Sequence, residues 1–269
     1  MKIMDAIGKG FSLAGRNIGL LGILFVFNAI WNIVTLPFAG EAANAAAPNI
    51  TPPLAVAGLV FIFINIFIQG GVFGVLKDVL GSEGKVKLGD FTKYGQKFYL
   101  RFLGLGAIII GFLAIAALIA GLLFSLAIAI KAVIINIVIV ILAVGLVIAA
   151  LFYLSLLFLS PYVLVIDDAG IFKAMASSMK FTKACYLKIS GLLTLLILIG
   201  LGLGFAVGAL SGIIFLALKG ATFQIATGII SSAVNAYITV IISAALMSYY
   251  AALSGAGQQK KETELSAQA

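Results

Sequence analysis

The chain has no histidine, a single cysteine, one tryptophan and five prolines, and only 10% of its 269 residues are charged. Each shortage excludes something. Without histidine, and with Cys185 alone, neither a zinc-type site nor an intrachain disulfide can be assembled, and the redox compartment is left open. The prolines fall at 37, 48, 52, 53 and 161, a placement that suits helices broken only at their ends. The charged fraction lies far below the ~25% of soluble domains, while 63% of the residues are hydrophobic. So much apolar surface has only the bilayer as its solvent. Whole segments are apolar on every side, which excludes the alternating strands of a membrane barrel and leaves an all-α polytopic helix bundle.

What charge there is carries a sign. The net charge is +8, and the basic residues lie beside apolar runs, which points to anionic lipid headgroups rather than nucleic acid. Six spans are expected, near 18–38, 54–76, two between 102 and 160, 190–217 and 223–253. Between the third and fourth, Lys131 marks a turn, since a lysine at mid-membrane costs roughly 2.5–3.5 kcal/mol. With the N-terminus, 77–101, 161–188 and the tail on one side, that side holds 15 of the 17 basic residues. The positive-inside rule then makes both termini cytoplasmic, in a multi-pass cell-membrane protein. Residues 39–53 read as a loop with an Asn49-Ile50-Thr51 sequon, and 254–269 as a polar cytoplasmic tail that frays.

One short pattern recurs. Arg16-Asn17-Ile18-Gly19-Leu20, Arg101-Phe102-Leu103-Gly104-Leu105 and Lys188-Ile189-Ser190-Gly191-Leu192 stand 85 and then 87 residues apart. Each follows a basic amphipathic stretch and opens an apolar run, so three repeats are expected, about 1–76, 77–160 and 161–253, in one membrane domain over 1–253. In each, an interfacial helix lies in the headgroup boundary and the glycine permits the bend into the bilayer or close packing. The expected apolar faces are Ile3, Met4, Ile7, Phe11 and Ala14; Phe91, Tyr94, Phe98 and Phe102; and Phe172, Met175, Met179 and Tyr186. Asp90 reads as an N-cap of the second helix. Asp167-Asp168 read as capping the third, against the alternative of holding a cation or pairing with a lysine of another repeat.

No acid or histidine lies within the spans, so no catalytic residue, metal ligand or cofactor is expected, and a non-enzymatic protein is the reading. The contact residues proposed for lipid headgroups or a partner are Arg16, Lys93, Lys97, Arg101, Lys173, Lys180 and Lys188. Intramembrane amides at Asn32, Asn65, Gln69, Asn136 and Asn235, with Asn28, should face the bundle interior as interhelical glue. In the alternative reading they line the route of a permease for an apolar or amphiphilic molecule. Gly200, Gly202 and Gly204 read as helix packing, and Trp31 and Tyr249-Tyr250 as packing or interface anchors.

Pro161-Tyr162-Val163-Leu164-Val165-Ile166-Asp167-Asp168, the basic stretch from Ala174 to Lys188 with Ser177-Ser178, the repeated entry pattern and Tyr249-Tyr250 together carry a family likeness. The chain resembles prokaryotic six-span membrane proteins related to the membrane domain of glycerophosphoryl diester phosphodiesterases and to the YciC-like proteins. In the fused relatives the phosphodiesterase is a separate barrel domain rich in acids and histidines. No such domain is expected here. The resemblance implies a prokaryotic cytoplasmic-membrane protein, and the basic interfacial helices are expected to engage anionic lipids, a protein partner or a second copy, without catalysis.

Overall fold

The computed structural model describes residues 1–44, 52–81, 88–130 and 132–266; the sequon at Asn49 and the expected turn residue Lys131 lie outside them. Helices account for nearly all of the described residues. They are α1 (Ile3–Arg16), α2 (Ile18–Asn44), α3 (Pro52–Gly81), α4 (Leu88–Ala129), α5 (Val133–Leu157), α6 (Ser160–Ile166), α7 (Ile171–Ala184), α8 (Tyr186–Ala217) and α9 (Gly220–Ser266). Six of these carry stretches long and apolar enough to cross a membrane: 18–35, 55–80, 89–129, 133–166, 186–217 and 222–255. The all-α bundle is therefore observed, and Pro52 and Pro53 open α3 where a missing N–H costs nothing.

Several boundaries differ from expectation. Pro37 lies inside α2, which continues to Asn44 through part of the expected loop. Ala42 and Ala43 favour the helix. α9 runs on past 254 to Ser266, so most of the expected tail is helical. The second interfacial helix is not a separate element: α4 is continuous from Leu88 to Ala129, about 63 Å at 1.5 Å per residue. Asp90 is accordingly a first-turn residue rather than the N-cap. Breaks do occur in the other two copies, but at Asn17 and Cys185 rather than at the glycines. Asn17 ends α1 because its Nδ2 donates to Leu13 O at 2.8 Å, alongside its own backbone N–H.

The chain forms two compact units, one of Met1–Tyr99 with Leu187–Ala269, the other of Leu100–Tyr186. In the first, the core is the second half of α9, where Val240, Ile241, Ala244, Ala245, Leu246 and Met247 are fully buried. The small face of α1 docks on it. A Cβ at Gly10 would stand 2.7 Å from Ile241 O, so the two backbones touch. The expected apolar face of α1 is thus divided: Ile7 and Ala14 join Ala6 and Gly10 in the core, while Met4 and Phe11 stay exposed. Small residues allow closer approach than large ones, and that selects the buried side.

The first turns of α4 dock on α3 in the same way. Their aromatic stripe packs over glycines: Phe91 over Gly71, Tyr94 over Gly74, and Phe67 of α3 over Gly95. Phe98 is fully buried, and Tyr94 Oη donates to Asp78 at 2.5 Å. Trp31 and Phe27 of α2 pack on Phe61 of α3, with ring centroids 3.9 and 4.8 Å apart, and Tyr249 and Tyr250 are buried.

In the second unit α7 packs on α6 and on the end of α5. Its buried side is Ala174, Met175, Ser178 and Thr182, rotated from the expected face, and Phe172 is 77% exposed. Two hydroxyls take the place of larger apolar groups on this side; Ser178 meets a polar neighbour at the end of α5, donating to Leu156 O at 2.8 Å. Phe112 of α4 packs against Tyr153 of α5.

Candidate functional site: the basic helix faces

Docking one side of a helix leaves the other to its long cations. On α4, Thr92, Lys93, Gln96 and Lys97 form an exposed strip opposite the aromatic side. Lys97 Nζ also sits 5.1 Å from the centre of the Phe98 ring, a cation–π arrangement. Arg16 is exposed in the last turn of α1. On α7, Lys173, Lys180 and Lys183 are exposed, and Lys188 is exposed in the first turn of α8. Among the described residues, Lys93, Lys173, Lys180 and Lys188 have no acidic partner within ion-pair distance. Ammonium groups held this way attract phosphate or carboxylate oxygens at little ordering cost to the backbone.

Arg101 stands apart from the other cations. Its Nη1 lies 2.6 Å from Asp168 Oδ1 and 3.4 Å from Asp168 O, so it ties α4 to the turn before α7. Asp167 and Asp168 do not cap α7. Its N-cap is Gly170, with no side-chain cap bond, and Asp168 takes up a left-handed φ of 49°. Asp168 pairs instead with an arginine, where the less favoured sequence reading had offered a lysine, and an aspartate in a turn tolerates that backbone.

The five amides do not assemble into one site. Asn32 Nδ2 donates to Ser232 Oγ at 2.7 Å and to Gly228 O at 3.3 Å, joining α2 to α9. A shallow cleft beside it is lined by Ala29, Ile33, Gln224 and Ile229. Asn136 Nδ2 instead closes the α4–α5 turn on Ile130 O at 2.8 Å. Asn65 and Gln69 are half-buried on α3, and Asn235 is exposed rather than facing inward. None of these three side chains hydrogen-bonds another described residue. The glycines at 200, 202 and 204 have nothing within 4 Å of an added Cβ, so no packing partner meets them among the described residues. Sequence reasoning missed Ser178 and Thr182; two hydroxyls at i and i+4 on an otherwise basic helix were the available signal.

Six apolar helices of spanning length and cations confined to their flanks define a multi-pass integral membrane protein. Residues 1–253 match the family described as a domain of unknown function (DUF7847), and the chain belongs to that family. No curated protein and no solved structure is significantly similar to it.

Proposed function

We propose that this is a non-enzymatic protein of the prokaryotic cell membrane, termini cytoplasmic, that binds anionic lipid headgroups through the basic faces of α1, α4 and α7. Its role in this reading is membrane organisation or lipid handling. The observation that carries it is the exposure of Lys93, Lys173, Lys180 and Lys188, without acidic partners among the described residues, on helices whose opposite sides are docked. The exposed Phe172 beside Lys173 adds an apolar group at the same surface. The resemblance of the 161–188 stretch to membrane domains fused to glycerophosphoryl diester phosphodiesterases supports a lipid-headgroup setting. The permease alternative gains nothing from the amides, since Asn32 and Asn136 serve the fold.

The test is native mass spectrometry of detergent-purified, delipidated protein titrated with phosphatidylglycerol or phosphatidylcholine. The wild type is expected to hold the anionic lipid selectively. Each basic residue near an anionic surface is worth about 1 kcal/mol, roughly fivefold in affinity. Replacing Lys93, Lys97, Lys173 and Lys180 by glutamine should abolish the preference; an unchanged preference overturns the proposal. Arg101 is left intact because it is engaged with Asp168.

A further inference from the structure

Arg101 and Asp168 meet where α4 touches the start of α7, and a second contact runs beside them. A Cβ on Gly104 would stand 2.6 Å from Ile171 Cδ1. So 101 faces 168 and, three residues on in both segments, 104 faces 171. Further along, Ser178 holds the same helix to Leu156 O. The seat of α7 therefore has supports other than the ion pair.

The pair itself is placed for exchange. Its side chains are 36% and 43% exposed, and Leu100, next to Arg101, is 73% exposed. Leu187, at the matching place beside Lys188 in the recurring pattern, is 85% exposed. A large exposed apolar side chain beside a cation marks the boundary of hydrocarbon and headgroups, where lipid phosphates lie. Arg16 and Lys188 occupy the same pattern position, exposed and without an acidic partner among the described residues. Arg101 alone of the three meets a carboxylate, which presents oxygens as a phosphate would. Asp168 reaches it from a φ of 49°, the one left-handed non-glycine among the described residues, at a small backbone cost.

We infer that Arg101 is a further binding site for lipid phosphate and that Asp168 covers it, so that carboxylate and headgroup exchange on one guanidinium. The inference rests on the lipid reading above and adds a regulation to it. Magnitudes favour exchange over a permanent tie. An ion pair this exposed holds by roughly fivefold at most, and one cation at an anionic surface gains about as much. Neither partner wins outright, so the local density of anionic lipid decides. Ile171 against Gly104 and Ser178 on Leu156 O keep α7 in place when the pair opens.

The experiment is titration of the delipidated full chain with phosphatidylglycerol, read by native mass spectrometry. It compares the wild type, Asp168→Asn, Arg101→Gln and the double variant. Asp168→Asn is expected to bind the lipid roughly fivefold more tightly. The same substitution made on top of Arg101→Gln should gain little, since no guanidinium is left to uncover. A gain equally large in both backgrounds would be a general effect of charge and would overturn the inference, as would no gain at all. Asp168→Gly, at ease at a φ of 49°, repeats the removal of the carboxylate should asparagine disturb the turn. Inorganic phosphate at matched ionic strength separates the sources. If it gains on Asp168→Asn as the lipid does, the site serves a soluble anion and the lipid assignment fails. The broader lipid reading fails differently: neither wild type nor any variant then prefers phosphatidylglycerol to phosphatidylcholine.

Discussion

Two joints hold basic helix segments in this molecule, and they are made of different material. In the first unit the start of α4 is seated on α3 by subtraction: Gly71, Gly74 and Gly95 each lie beneath an aromatic ring, and Phe98 is fully enclosed. In the second unit α7 is seated by addition, through Ser178 on Leu156 O and, at the turn before it, Arg101 on Asp168. The neighbour explains the contrast. The unbroken turns of α3 have no spare backbone groups, so only close approach and dispersion are available there. At the α5–α6 break the backbone is short of donors, and polar side chains find work. In a chain with so few charges, an ion pair and buried hydroxyls appear where a helix is interrupted.

The sharpest way to break this comparison is to fill the glycine sockets. A Cβ at Gly74 would run into Tyr94 Cβ and Cγ, too near the backbone for the ring to swing clear. A Cβ at Gly10 would lie 2.7 Å from Ile241 O, a backbone atom. Gly74→Ala and Gly10→Ala should therefore each destabilise by about 1–3 kcal/mol, although alanine in a helix interior is normally better by up to ~1 kcal/mol. The measurement is equilibrium unfolding in mixed micelles. A stabilised Gly74→Ala would mean that α4 is not seated on α3 through these glycines.

The sequence made the helices and their number legible because a membrane span is written in composition alone, and composition needs no partner. The cationic residues were legible for the same reason, and Lys93, Lys97, Lys173, Lys180 and Lys188 are all exposed. What escaped was every feature that depends on a second helix. A hydrophobic stripe such as Phe91–Tyr94–Phe98 looks the same whether it meets lipid or a row of glycines on α3. The buried side of α7 could not be read from hydrophobicity, because it includes the hydroxyls of Ser178 and Thr182, and Ser178 is drawn in by Leu156 O. Arg101 resembled its counterparts Arg16 and Lys188 in pattern, and only the fold gives it Asp168.

A smaller effect is expected at that ion pair. Arg101 and Asp168 are 36% and 43% exposed, so solvent screens them and the pair should contribute about 0–1 kcal/mol. Asp168→Asn isolates the charge, because asparagine also tolerates the φ of 49°. Its double-mutant cycle with Arg101→Gln should give a coupling that shrinks as salt is raised. A coupling well above 1 kcal/mol, or one indifferent to salt, would show that the second unit is held by charge as much as by hydroxyls.

The finest test uses the glycine of the recurring pattern. Three residues with one sequence context meet three surroundings: nothing lies within 4 Å of a Cβ at Gly19, Ile3 Cδ1 stands 3.5 Å away at Gly191, and Ile171 Cδ1 stands 2.6 Å away at Gly104. If these glycines served a bend, alanine would harm all three alike; but Gly19 and Gly191 lie within α2 and α8, and Gly104 within the unbroken α4. Gly19→Ala should then gain up to ~1 kcal/mol from helix propensity, and Gly191→Ala nearly as much, since 3.5 Å is an ordinary contact. Gly104→Ala should give back part of the gain, because the tip of Ile171 must rotate aside, a cheap movement for the end of a flexible chain. The expected order of stability is Gly19→Ala, Gly191→Ala, Gly104→Ala, read in the same micelle unfolding assay. A uniform loss would restore the bend as their purpose and make the pattern a device of backbone shape rather than of packing.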